Sequence, residues 1–313
     1  VQRSFYYWKT AFTLSPNEKR TLQQLSVNEL YVKFFDVEWN PEKEAPQPAA
    51  KSIFQEAPPK GITITPVVFI TQEPLQKSSP QQREQLAVNI ANLLSSIAAS
   101  NHINLSGEVQ IDCDWTTTTK EAYFALLQTL QQQPFFQNRK LSVTIRLHQV
   151  KFRSQAGIPP ADKGLLMCYN MGNLRHPEIK NSIIEEAELK KYIANLDSYS
   201  LPLDIALPIF HWYVLFENNT YKGIVREFAP PAGMEKKDRI YFSSDTIISG
   251  YAFKKGQWLR REVSEAAVVK KCAERLAQKL KAQKRSVILY HLDPNTITNY
   301  TLHELESFYT SLH

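Results

Sequence analysis

Residues Gly107 to Thr116 read GEVQIDCDWT, with Val109, Ile111 and Cys113 alternating with Gln110, Asp112 and Asp114. Strict apolar–polar alternation over such a run is the pattern of a β-strand. The threonine run that follows opens a segment with helical spacing, expected from about Thr117 to Gln133. Residues i and i+2 of a strand face the same way, so Asp112 and Asp114 are expected on one face. A strand that ends in paired acids and feeds directly into a helix is what a (β/α) barrel presents at its mouth.

Working outward, seven further strands are expected: Phe5–Thr10, Leu30–Val37, Ile64–Ile70, Leu141–Leu147, Gly164–Tyr169, Asp204–Phe210 and Val287–Leu292. Helices are expected between most of them. Ser15-Pro-Asn-Glu and Ser79-Pro-Gln-Gln each supply an N-cap followed by proline at the first helical position. Further helices are expected over Glu185–Asp197, over Ser264–Lys284 and from Thr301, and a Pro- and Ala-rich loop over Pro41–Pro59. Between His211 and Glu262 the pattern changes to turn-separated β segments. The economical solution is of α/β class: a (β/α)8 TIM-type barrel over 1–210 and 263–313, with a β-rich insertion over 211–262 after the seventh strand. A doubly wound open sheet is the rival. It is disfavoured because no Gly-rich phosphate turn follows the first strand, and the 313 residues include only 9 Gly.

Composition narrows the class further. A hydrophobic fraction of 43% and a charged fraction of 22% are ordinary for a globular domain. No run of apolar residues is long enough to span a bilayer as a helix. The net charge of +6 comes partly from basic residues in Glu265–Arg285 and Lys254–Arg261. The first cluster lies on an amphipathic pattern and reads as a solvated helix face, not a nucleic-acid groove. Cys113, Cys168 and Cys272 offer neither metal-ligand spacing nor a disulfide framework. No HxH or HExxH spacing exists, so neither a metal nor another cofactor is expected. The chain begins at Val1. If a secretory signal preceded it, a secreted, periplasmic or surface-anchored location would follow.

In a closed barrel the C-terminal ends of the strands converge on one pocket. Those ends carry Asp36 and Glu38, Asp112 and Asp114, Arg146 and His148, Tyr169 and Asn170, and His291 and Asp293. Unpaired buried carboxylates cost several kcal/mol, so acids beside Arg and His at one level suggest a polar cleft. Asp112 and Asp114 are the candidate electrostatic stabilisers or base, and Glu38 the candidate acid. Asp36, Arg146, His148, Tyr169, Asn170, His291 and Asp293 are candidate binding residues. Trp8, Trp39, Trp115, Trp212 and Trp258 are partly core, yet several follow strand ends, where an indole can stack on a sugar ring. Trp212 is counted with the binding residues for that reason. The competing reading makes Asp112 and Asp114 rim acids that cap helices or pair with Arg146, Asp36 and Glu38 loop acids in water, and the histidines packing residues.

The fourth strand resembles glycoside hydrolase family 18, the chitinase-like barrels, whose motif there is D-x-x-D-x-D-x-E. Asp112, Asp114 and Trp115 match; Val109 stands where the first Asp would be, and Thr116 where the catalytic Glu would be. The sixth strand, Met167-Cys-Tyr169-Asn170, is similar to the family's M-x-Y-D/N, and Ala206-Leu-Pro208-Ile-Phe to its LGLP-x-Y element. The resemblance implies a carbohydrate-active barrel in which Tyr169 supports a reacting acetamido group. It also implies a general acid at position 116, and a threonine hydroxyl is far too weak an acid for that role. Two outcomes are open. Either another carboxyl, Glu38 or Asp36, pairs with Asp114 across a glycosidic bond, or the barrel binds or scaffolds a carbohydrate without cleaving it.

Overall fold

A computed structural model describes residues 1–235 and 238–312. Eight strands form a closed parallel barrel: β1 Gln2–Tyr7, β2 Glu29–Asn40, β3 Thr63–Ile70, β4 Glu108–Asp112, β5 Lys140–Arg146, β6 Lys163–Met167, β7 Leu203–Pro208 and β8 Ser286–Tyr290. They follow chain order around the ring. Closure is made by β1, where Phe5 pairs with Leu289 of β8 and with Leu30 of β2.

Every residue of β4 is buried, on both faces. Its alternation therefore separates the barrel interior from the helix layer, not core from water. Val109, Ile111 and Cys113 belong to the apolar core, whereas Glu108, Gln110 and Asp112 bond to side chains of other strands across the interior. Close packing has one visible requirement at Gly164, where a Cβ would come within 2.3 Å of Ile145 Cδ1. A larger residue there would force the Ile145 and Leu203 side chains to shift.

The helices form where caps and stripes direct. Ser15 and Ser79 both complete capping boxes, with Glu18 and Gln82, ahead of Pro16–Gln24 and Pro80–Ser100. Leu86, Ile90, Leu94 and Ile97 give the latter its buried stripe. The helix after β4 is Lys120–Gln131.

Three expected elements differ. The Pro41–Pro59 stretch is not all loop: Ala45–Ala49 pairs antiparallel with the end of β2, and Ile53–Phe54 pairs with Ala11–Phe12. An edge strand tolerates Pro46 and Pro48 because it has an outer side with no partner to bond. The helix expected over 185–197 is only Glu186–Lys190 followed by a turn at Leu196–Ser198. The one expected over 264–284 is Ala266–Ala277, because residues 281–284 are exposed and offer no face to bury.

The insertion is a four-stranded antiparallel sheet, in the order Thr220–Val225, His211–Glu217, Gln257–Val263, Arg239–Tyr241, with a hairpin of Thr246–Ile248 and Tyr251–Phe253. It has a small core of its own around Tyr213, Phe228, Ile240 and Phe253. Buried Arg260 ties it to the barrel's β6 loop, donating to the carbonyls of His176 at 2.7 Å and Leu174 at 3.0 Å. No helix among the described residues is long and apolar enough to cross a membrane.

Candidate functional site

At the C-terminal mouth the side chains of β4 and β5 meet first. Asp112, 5% exposed, accepts a bond from Thr144 Oγ1 at 2.6 Å. Burial, reinforced by the charges of Asp114 and Asp36, pushes its carboxyl up to about 6 against the opposing pull of Thr144 and Arg146. Asp114 lies beyond the last strand residue and is half exposed where Asp112 is buried, yet it is near enough for its charge to raise the Asp112 carboxyl. Arg146 grips Asp114 with a two-pronged guanidinium, Nε to Oδ1 and Nη2 to Oδ2, the latter at 2.6 Å. Asp114 and Arg146 thus form an ion pair at the mouth.

Thr116 joins a cluster of hydroxyls. Its Oγ1 lies 2.9 Å from that of Thr118 and 3.2 Å from that of Thr119. Trp115 is core, its Nε1 donating to the Ala156 carbonyl at 3.0 Å and its ring stacked on Tyr123.

On the opposite wall, a bulge in β2 at Phe34 shifts the alternation, since Lys33 pairs with Val67 and Phe35 with Val68. Lys33 and Asp36 therefore face each other, 3.0 Å apart and both buried. Glu38 is exposed where β2 pairs with the Ala45–Ala49 strand, and makes no ion pair among the described residues. His148 falls in the helix Leu147–Lys151 and not at the strand end. It is exposed. Partial desolvation of the ring and the Arg146 charge move its imidazole pKa below the usual value. Asp293 caps the helix Pro294–Ile297 by accepting from Asn295 N at 2.9 Å, and lies 3.6 Å from Lys9.

Aromatic rings occupy the rest of the mouth, several of them not foreseen. Trp212 packs on Phe210 at 5.1 Å, Phe210 on Tyr290 at 5.7 Å, and Tyr290 on Trp8 at 5.9 Å, which in turn meets Phe69 at 6.4 Å. Tyr169 stands beside this string, 5.5 Å from Tyr290, with its hydroxyl buried and unpartnered. Burial raises its phenol well above the usual range. His291 Nδ1 is also buried without a partner, and burial pushes the imidazole down to about 4. Asn170 is exposed, in the left-handed backbone region at φ 54°. Trp8 was legible as the inward neighbour of Tyr6 in FYYW. Tyr290 was hidden because the eighth strand's inward parity runs through Ile288 and Tyr290. Among the described residues no group of three or more His, Cys, Asp or Glu could hold a metal ion.

Comparison with known proteins bears on the fold. No family model matches the sequence, and no curated protein matches it. Solved structures do. The GH18 chitinase ChiB of Flavobacterium johnsoniae superposes with a TM-score of 0.57 at 13% identity, over 99% of this chain and 93% of that one. The spore cortex-lytic enzyme SleL of Bacillus cereus gives 0.56 at 12% identity, over 98% and 74%. A mutant class V chitinase of Nicotiana tobaccum in complex with NAG4 gives 0.53 at 10% identity, over 99% and 98%. The chain is similar to these in fold along nearly its whole length, and the fold they share is the closed (β/α)8 TIM-type barrel.

Proposed function

We propose that this barrel recognises a carbohydrate chain at the C-terminal ends of its strands and does not hydrolyse it. The observation that carries the reading is the clamp of Arg146 on Asp114 beside Thr116. Together these place an ion pair and a hydroxyl cluster where the resembling family keeps its acid machinery. The part-exposed rings of Trp8, Phe69 and Tyr290, backed by buried Phe210 and Trp212, supply flat apolar faces of the kind on which sugar rings stack. The Nicotiana relative in fold is in complex with NAG4, which makes chito-oligosaccharides the first ligands to try.

One observation favours the enzymatic alternative. Asp112, pushed up to about 6, has an acidity suited to general acid work near neutral pH. Against it, the carboxyl is buried and already bonded to Thr144. A panel of fluorogenic glycosides and polysaccharides separates the two, read for turnover and for thermal-shift stabilisation. The expected result is stabilisation without product. Asp114→Asn is expected to abolish that stabilisation while changing the unliganded stability by less than about 1 kcal/mol, since exposed pairs contribute little. Product formation that depends on Asp112 would overturn the binding reading, and stabilisation undiminished in Asp114→Asn would remove this pocket.

A further inference from the structure

The insertion brings to the mouth a charge that the barrel does not pair. Arg226 follows the strand Thr220–Val225 and is exposed. The insertion's ion pairs are Lys222–Glu217, Arg260–Glu262, Arg261–Glu235 and Arg261–Asp238; among the described residues Arg226 enters none. Its position is nevertheless fixed. Its carbonyl accepts a bond from Tyr251 Oη at 2.8 Å, and its guanidinium carbon lies 5.6 Å from the centroid of the Trp212 ring. That indole is itself held, donating from Nε1 to Glu262 at 2.8 Å, and Glu262 is neutralised by buried Arg260. A guanidinium lying against an indole keeps its in-plane N–H groups free for a planar acceptor.

The other cations of the mouth are already engaged. Arg146 is closed on Asp114, and Lys33, 5.7 Å from the centroid of the Trp8 ring, is closed on Asp36. The aromatic string thus has a neutralised cation at its Trp8 end and a free guanidinium at its Trp212 end. Beside it lies the unpartnered Nδ1 of His291, whose ring is 5.2 Å from that of Tyr290. A pyranose ring stacked on the string would direct its ring-edge substituents toward such groups. A carboxylate is the substituent that a guanidinium binds with two parallel hydrogen bonds.

We infer that the glycan taken by this mouth is acidic, carrying carboxylate-bearing sugars of the uronate kind, and that Arg226 reads the carboxylate. The inference rests on the mouth being a glycan site and adds the charge of its ligand. The test is titration calorimetry on the whole chain with two matched pairs: hyaluronan and galacturonate oligosaccharides, each against its carboxyl-reduced form, with chitohexaose as a neutral reference. The acidic member of at least one pair is expected to bind roughly tenfold or more tightly than its reduced form, the margin of a charge-assisted bond. In Arg226→Ala that ratio falls to about one, in Arg226→Lys it is partly kept, and in Arg226→Glu it inverts. Unchanged thermal melting of the three variants shows that the fold is intact. Equal affinity for acidic and reduced forms, or a preference that survives in Arg226→Ala, overturns the inference and leaves the glycan reading standing. Failure of every oligosaccharide, chitohexaose included, overturns both.

Discussion

At the N-terminal end of the barrel, Lys163 lies 2.5 Å from both Glu108 and Asp204, whereas at the C-terminal end Tyr169 Oη and His291 Nδ1 are buried with no partner. The lower charges form a finished network. Tyr31 donates to Glu108 at 3.2 Å, and Asp204 accepts from Ser286 N at 2.7 Å. A cavity of ≈ 750 Å³ opens at this end, lined by Lys163, Asp204 and Arg285, but these groups already bond within the protein. The mouth holds similar residue types with their bonding incomplete. In a barrel of this kind, polar groups at the N-terminal face serve stability and those at the C-terminal face serve ligands. The base is distinguished by its fully engaged charges, although Ser4 Oγ on β1 is also buried without a partner.

The largest expected effect tests the finished end. Lys163→Met removes the cation between two buried carboxylates and leaves both uncompensated, a loss of about 3–5 kcal/mol. Urea denaturation should report it as a lower midpoint with an unchanged slope, while the folded fraction binds glycan as before. A loss below about 1 kcal/mol would mean that this end is not the stabilising one.

Next in size is a pH effect at the mouth. Asp112 titrates near 6 in the folded chain against 3.8 ordinarily. Its contribution to stability is therefore complete below about pH 4 and is lost as pH rises through about 6. Asp112→Asn keeps an uncharged acceptor for Thr144. Above pH 6 the variant should be the more stable by on the order of 2–3 kcal/mol, with the gap closing toward pH 4. His291, pushed down from 6.5 to about 4, has the opposite sign. Its contribution is complete above about 6.5 and is lost as pH falls through about 4, so the two slopes oppose each other in the parent. Melting of Asp112→Asn between pH 4 and 7.5 should thus show an acid lability that the parent conceals. A parallel pair of curves would mean that Asp112 is ordinary.

The barrel was readable because each buried strand carries its own signal: β-branched and aromatic runs, bounded by caps such as Ser79-Pro80. The site was readable only where alternation continues unbroken. On β4 and β5 it does, and Asp112 and Arg146 lie where the sequence puts them, facing inward. The strand ends at Asp112, so Asp114 lies in the loop beyond it, and His148 lies in the helix that follows β5. Alternation shifts at the Phe34 bulge, which pairs Lys33 with Asp36 at a spacing no strand pattern predicts. Parity in β8 is set by pairing with β1 and β7, and nothing within VILYHL selects Tyr290 over His291. Arg226 reaches the mouth through the packing of the insertion, which has no local signature in the chain.

The smallest expected effect concerns the one exposed mouth acid that enters no ion pair among the described residues, Asp112 being unpaired but buried. Glu38 lies two residues past Asp36 on the stretch of β2 that has left the barrel for its hairpin with Ala45–Ala49. With its side chain in solvent, Glu38→Gln should change stability by no more than about 0.5 kcal/mol. If the mouth only binds, the variant should also leave glycan-induced stabilisation unaltered, because the exposed carboxylate contributes little through water. The comparison of the two ends would then hold: the mouth differs from the base in unfinished bonding, not in a hidden acid. If a glycoside is turned over, and Glu38→Gln slows that turnover by about 10²–10⁴-fold, the general acid has moved from position 116 to the second strand. Asp114 would then have to leave Arg146 when substrate arrives.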